Sequence, residues 1–144
     1  MRTKDFLRKL EHDRIVRAIR AAEAKTSGEI RVFIQRGEVD DAFAAAKKQF
    51  EKLRMTSTRD RNAVLIFVAP RSQTFAVIGD TGIHERGGDE FWQRLVDAMR
   101  EHFKAENFTD AVVHAINQTG ELLGQHFPRG SDDRNELPDA VEEG

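Results

Sequence analysis

The run Ala63-Val64-Leu65-Ile66-Phe67-Val68-Ala69 is bounded by charge on one side and by Pro70 on the other. A continuous apolar stretch of this kind predicts a strand buried on both faces, as in the centre of an α/β sheet. Working outward, Ile30-Arg31-Val32-Phe33-Ile34 is rich in β-branched residues and predicts an earlier strand. Between the two, Asp40 or Asp41 caps a helix over 41–54 with Phe43, Ala46, Phe50 and Leu53 as its apolar face. A strand, a helix and a strand make a crossover, so these two strands are expected parallel in one sheet. Downstream, Pro70-Arg71-Ser72-Gln73 reads as a turn, and Thr74-Phe75-Ala76-Val77-Ile78 returns as a third strand antiparallel to the second.

The 144 residues fit one domain, large enough for a real core. Hydrophobic residues make up 39% and charged ones 33%, as in a globular protein with a heavily charged surface. With 23 basic and 25 acidic side chains the net charge is -2, so no overall field favours nucleic acid or an anionic membrane. The absence of cysteine excludes a disulfide framework, a thiol nucleophile and a thiolate zinc site. Charges flank the Phe6-Leu7 pair at the N-terminus, leaving no uninterrupted apolar stretch of signal length, and no segment approaches the roughly 20 apolar residues of a membrane helix. A soluble, cytoplasmic chain without membrane insertion is expected.

Helices cover the remaining apolar periodicity. Residues 3–10 form a short one with Phe6, Leu7 and Leu10 inward. Asp13 is placed as N-cap of a second carrying Ile15, Ile19 and Ala22, which ends at Thr26-Ser27-Gly28, where Gly28 can supply a positive φ. After Gly87-Gly88, Asp89 is expected to cap a helix with Phe91, Trp92, Leu95, Met99 and Phe103. Thr109 is expected to cap the last, which carries Val112, Ile116, Leu122 and Leu123 and stops at Pro128. The domain is read as residues 1–130. The tail, 131–144, holds six acidic residues and one arginine; Leu137 and Pro138 are expected to pack on the last two helices, leaving 140–144 free.

Strand direction brings three polar clusters to one sheet edge. The parallel strands begin there, at Glu29 and Asn62, and the third finishes there, at Asp80. Thr26, Ser27, Glu29, Asp60, Asn62, Asp80 and Thr81 are therefore expected neighbours, with Gly79 and Gly82 permitting tight backbone approach. Carboxylates, hydroxyls and an amide are oxygen ligands, suited to calcium or magnesium. Each cluster alone is equally a helix exit, a strand start or a turn. Arg54, Arg59 and Arg61 beside the edge are either a phosphate clamp or a solvated rim. The five histidines form no i, i+4 pair, and no serine lies in a Gly-x-Ser-x-Gly elbow. Glycine-rich phosphate loops and EF-hand loops are absent from the sequence.

Ala22-Glu23, Thr26-Ser27-Gly28-Glu29-Ile30, Phe50, Thr58-Arg59-Asp60-Arg61-Asn62-Ala63-Val64-Leu65-Ile66 and Gly79-Asp80-Thr81-Gly82-Ile83 together resemble the TPM domain family. That family takes its name from a thylakoid lumen protein, a photosystem II repair protein and a modulator of a levamisole receptor. Trp92, Phe103, Asn107-Phe108, Phe127-Pro128 and Asn135-Glu136-Leu137-Pro138-Asp139 are similar to its bacterial soluble branch. The resemblance implies an α/β/α sandwich with a short mixed sheet, strands near 30–35, 63–69 and 74–79, and helices on both faces. It also implies divalent-cation binding in an acidic depression, with Glu29, Asp60, Asn62 and Asp80 as the metal-site positions. Weak acid phosphatase activity in plant relatives and assembly or repair of membrane complexes are further implications. Many relatives carry a signal peptide or membrane anchor and a glycine-rich tail, neither of which is read here. Two functions follow: a calcium- or magnesium-binding accessory module acting on a protein partner, or a metal-assisted phosphatase with Asp80 as nucleophile or base and Arg59 or Arg61 as clamp.

Overall fold

In the computed structural model, which describes residues 3–129 and 141–143, the double-sided burial of the central run is complete. Strand β2 (Ala63–Ala69) is buried at every position, and so is β1 (Glu29–Ile34). The two are parallel, with Glu29 opposite Ala63 and Ile34 opposite Val68, and α3 (Ala42–Lys52) makes the crossover. Strand β3 (Thr74–Gly79) is antiparallel to β2, pairing Val64 with Gly79 and Ala69 with Thr74. The residue alternation of β1 and β2 divides the core. Ile30, Val32, Ile34, Val64, Ile66 and Val68 face one way, against α1 (Thr3–Lys9), α2 (His12–Glu23), α4 (Thr81–Lys104) and α5 (Phe108–His126). Phe33, Leu65 and Phe67 face the other, against Ala46 and Phe50 of α3 and Met55. The architecture is the expected α/β/α sandwich with a short mixed sheet.

A fourth strand departs from the expectation that 140–144 are free. Val141–Glu143 (β4) pairs parallel with β1, Val141 opposite Val32, making the order β3-β2-β1-β4. The outer edge of β1 presents unpaired backbone groups that any extended segment can satisfy, whatever its composition. The expected contacts of Leu137 and Pro138 lie outside the described residues.

Helix boundaries differ where tertiary contacts compete with local signals. No side chain caps α2: its N-cap position is Glu11, not Asp13, and the Glu11 amide donates to the Thr109 hydroxyl at 3.1 Å. Thr109 is thereby a buried cross-helix acceptor, and Asn107 occupies the N-cap position of α5. Asp41 does cap α3, accepting from the Ala44 amide at 3.1 Å. The range Thr81–Lys104 joins two helical segments at Gly88, whose φ of 73° and ψ of 163° are non-helical: the longer follows the glycine pair as expected, and a short one precedes it from Thr81. Gly28 does not take a positive φ. Its lack of a side chain is required by space, since a Cβ would lie 2.6 Å from Leu123 Cδ2 and 3.0 Å from the Asn62 carbonyl oxygen. Phe43 is not on the buried face of α3 but 58% exposed, its ring 5.6 Å from Lys47 Nζ.

Truncation after Asp139 removes β4. It is expected to lower the unfolding free energy by on the order of 1 kcal/mol, the scale of one or two net hydrogen bonds, read as a lower urea midpoint at unchanged slope. An unchanged midpoint would show that the added strand contributes nothing.

Candidate functional site

The three polar clusters meet at the edge where β1 and β2 begin and β3 ends, and backbone hydrogen bonds join them. The Glu29 amide donates to the Asn62 carbonyl at 3.4 Å, the Asp80 amide to that of Ala63 at 2.9 Å, and the Gly82 amide to that of Arg61 at 2.8 Å. Side chains add to this. Asn62 Nδ2 donates to Ser27 Oγ at 3.3 Å, and the Asn62 amide to Thr58 Oγ1 at 3.3 Å. The Thr26 hydroxyl accepts from the Gly28 amide at 3.0 Å and donates to the Phe127 carbonyl, fixing the loop before β1 to the end of α5. An antiparallel bridge between Thr26 and Pro128 continues that attachment.

Asp80 is the centre of the arrangement. Arg61 grips its carboxylate as a fork, Nε donating to Oδ2 at 2.7 Å and Nη2 to Oδ1 at 2.9 Å. Oδ1 also accepts from the Thr81 amide at 2.7 Å, so the same carboxylate starts α4 where the helix dipole favours a negative charge. The Asp80 side chain is 4% exposed and that of Arg61 47%. The carboxylate raises the already high Arg61 pKa further, chiefly through these hydrogen bonds and secondly through charge attraction.

Arg61 reaches this position from a left-handed backbone, φ 53°, in the turn closed by its amide on the Thr58 carbonyl at 3.2 Å. Gly82 makes room for that turn. A Cβ there would stand 2.1 Å from the Asp60 carbonyl oxygen and 2.7 Å from that of Arg61.

The expected site residues are therefore neighbours, but their side chains do different things. Asp80 and Arg61 are joined to each other. Asn62 is 2% exposed and turned to Ser27. Glu29 is buried at 1% exposure on the sheet face that carries Phe33. Asp60 stands at the rim, its Oδ2 3.6 Å from Arg59 Nη2, with Arg59 largely exposed. Two buried charged residues nearby, Glu23 and Arg31, were not among the expected site residues. Glu23 Oε2 accepts the Ile30 amide at 3.1 Å, and its carbonyl accepts from Arg129 Nη1 at 2.9 Å. Both were legible in principle: Glu23 lies four residues after Ile19 on the apolar stripe of α2, and Arg31 shares the inward phase of Phe33.

Among the described residues, no group of three or more histidine, aspartate or glutamate side chains is arranged to hold a metal. Carboxylate, amide and hydroxyl oxygens of the kind found here, on Asp80, Asp60, Glu29, Asn62 and Ser27, are the donor type a hard cation takes. The most central carboxylate, that of Asp80, is engaged on both oxygens by Arg61.

A family model described as the TPM domain matches residues 1–122. The chain belongs to the TPM domain family. Among solved structures, it is similar to the BA42 protein of the psychrophilic bacterium Bizionia argentinensis, determined by NMR. Identity there is 40%, with 93% of this chain and 92% of that chain covered and a TM-score of 0.85. The N-terminal domain of a P. gingivalis protein shares the fold at 14% identity, covering 81% of this chain and 75% of that one with a TM-score of 0.58. No curated protein matches the chain. No helix of the described TPM domain is long and apolar enough to cross a membrane.

Gly82→Ala places a methyl group against fixed carbonyls of the Asp60–Arg61 turn. It is expected to destabilise the TPM domain by about 1–3 kcal/mol, the usual cost of overpacking, and to move the Arg61 and Asp80 amide resonances. Wild-type stability with unmoved resonances would show that the turn yields freely.

Proposed function

We propose that this TPM domain is a calcium- or magnesium-binding accessory module that acts on a protein partner, and that Arg61 is the internal cation with which the metal competes. The observation supporting this is the unequal exposure of the forked pair. Asp80 is held in place by the start of α4 and by its own buried position, while the half-exposed Arg61 side chain is free on one side to leave. Exchange of a guanidinium for a divalent ion leaves Asp80 paired and returns Arg61 to the rim. Asp60 and the oxygens of Ser27, Glu29 and Asn62 supply further donors at the same edge. Competition with a built-in cation makes the affinity weak, in the micromolar to millimolar range typical of sensor and extracellular sites. The released arginine beside Arg59 changes the charge of the surface that a partner meets.

A weak metal-assisted acid phosphatase is the second reading, because two guanidinium groups stand beside the carboxylates. It requires Asp80 to leave Arg61 before it can act as base or nucleophile, a further step that ranks it second. Metal-dependent phosphate release from a simple monoester, lost in Asp80→Ala, would favour it over the module.

The test of the cation reading is a calcium and magnesium titration of the full chain, followed by amide shifts and melting temperature. Shifts are expected at 27–29, 59–62 and 80–82. Arg61→Ala, which removes the competitor, should tighten binding roughly tenfold, and Asp80→Asn, which keeps a capping side chain but loses the charge, should weaken it by a similar factor. Unmoved amides and melting at millimolar cation, or equal affinity in Arg61→Ala and wild type, would overturn the proposal.

A further inference from the structure

The end of the sheet opposite Asp80 has a different chemistry. There α1, the last turns of α4, the first turn of α5 and the start of β3 surround a cleft of about 690 Å3. This falls within the range of roughly 300–1,000 Å3 found for small-molecule sites. Its walls are aromatic, formed by Phe6, Phe75, Phe103 and Phe108. Ring centroids are 4.9 Å apart for Phe6 and Phe108, 5.0 Å for Phe75 and Phe103, and 6.3 Å for Phe103 and Phe108. Phe6 and Phe108 belong to the buried core, whereas Phe75 and Phe103 are only partly covered. The partly covered pair is the surface a ligand would complete.

Charge selects the ligand. Arg100 and Lys104, one helical turn apart on α4, line this cleft. Their acidic partners, Asp97 at 3.3 Å and Glu101 at 3.7 Å, do not line it. Exposed pairs of this kind hold weakly, so both cations can turn to a better-placed anion. The one acidic lining residue, Glu106, lies 3.9 Å from Lys9 Nζ, which itself stands 5.7 Å from the Phe108 ring centroid. Lys9 thus offsets the charge that would repel an anion.

We propose that this cleft binds a small amphipathic anion, a carboxylate or sulfonate with an aromatic or short aliphatic body, with its apolar part on Phe75 and Phe103 and its charge beside Arg100 and Lys104. This site uses no residue of the Asp80 edge and stands or falls separately from cation binding there.

The experiment is a fluorescence titration of the full chain with 8-anilinonaphthalene-1-sulfonate and, in parallel, with uncharged N-phenyl-1-naphthylamine. Amide shifts locate the bound probe. The sulfonate is expected to saturate one site and shift the amides of Thr74–Phe75 and 103–108. Arg100→Glu with Lys104→Glu, both on the exposed face of α4, should weaken the sulfonate about tenfold, as loss of charge complementarity does, and leave the uncharged probe unchanged. Thr74→Trp, at the strand end lining the cleft, should abolish binding of both probes while the melting transition persists. Absence of saturable sulfonate binding, shifts confined to another surface, or equal effects of the charge reversals on both probes would each overturn the assignment.

Discussion

The parallel pairing of β1 with β2 is the constraint on which the molecule depends. Its register, Glu29 opposite Ala63 through Ile34 opposite Val68, requires a crossover on one face, and α3 provides it. With one face covered by α3, the other must be covered by the remaining helices, because every residue of both strands is buried. Two parallel strands begin at the same edge, and the antiparallel β3 ends there. The polar edge is thus a consequence of strand direction and needs no separate device to assemble it.

At that edge, one residue meets three demands. Asp80 ends β3 through its amide on Ala63, starts α4 through its carboxylate on the Thr81 amide, and accepts the Arg61 fork. Gly82 admits the Arg61 turn by having no Cβ. The Arg61 side chain is half exposed and that of Asp80 is buried, and this asymmetry is the observation behind the proposed cation competition.

The two similar structures separate what the fold needs from what the site needs. At 40% identity the BA42 protein superposes with a TM-score of 0.85, and at 14% the P. gingivalis domain retains a score of 0.58. Apolar periodicity and chain direction can survive extensive substitution because cores tolerate exchange of residues of similar volume. Fork geometry at Arg61 and Asp80 cannot be inferred from such a likeness, since it depends on particular atoms.

The sequence alone determined the mixed sheet with its two-sided central strand, the direction of its first three strands and the arrival of Glu29, Asp60, Asn62 and Asp80 at one edge. Each follows from local pattern: a two-sided apolar run, a crossover-length helix and a short turn at Pro70. Only the tertiary structure decided which groups engage one another. Thr109 and Asp13 looked like caps, yet Thr109 is an acceptor for the Glu11 amide from another helix and no side chain caps α2. Gly28 looked like a helix exit, yet it answers to Leu123 and Asn62 from distant elements. Glu142 and Glu143 looked like solvated tail, yet their backbone completes the edge of β1. Arg61 looked like a rim or a clamp, yet it closes on Asp80, nineteen positions away. In every case the deciding partner is remote in sequence, and unmet hydrogen bonds or excluded volume outweigh a local preference worth about 1 kcal/mol.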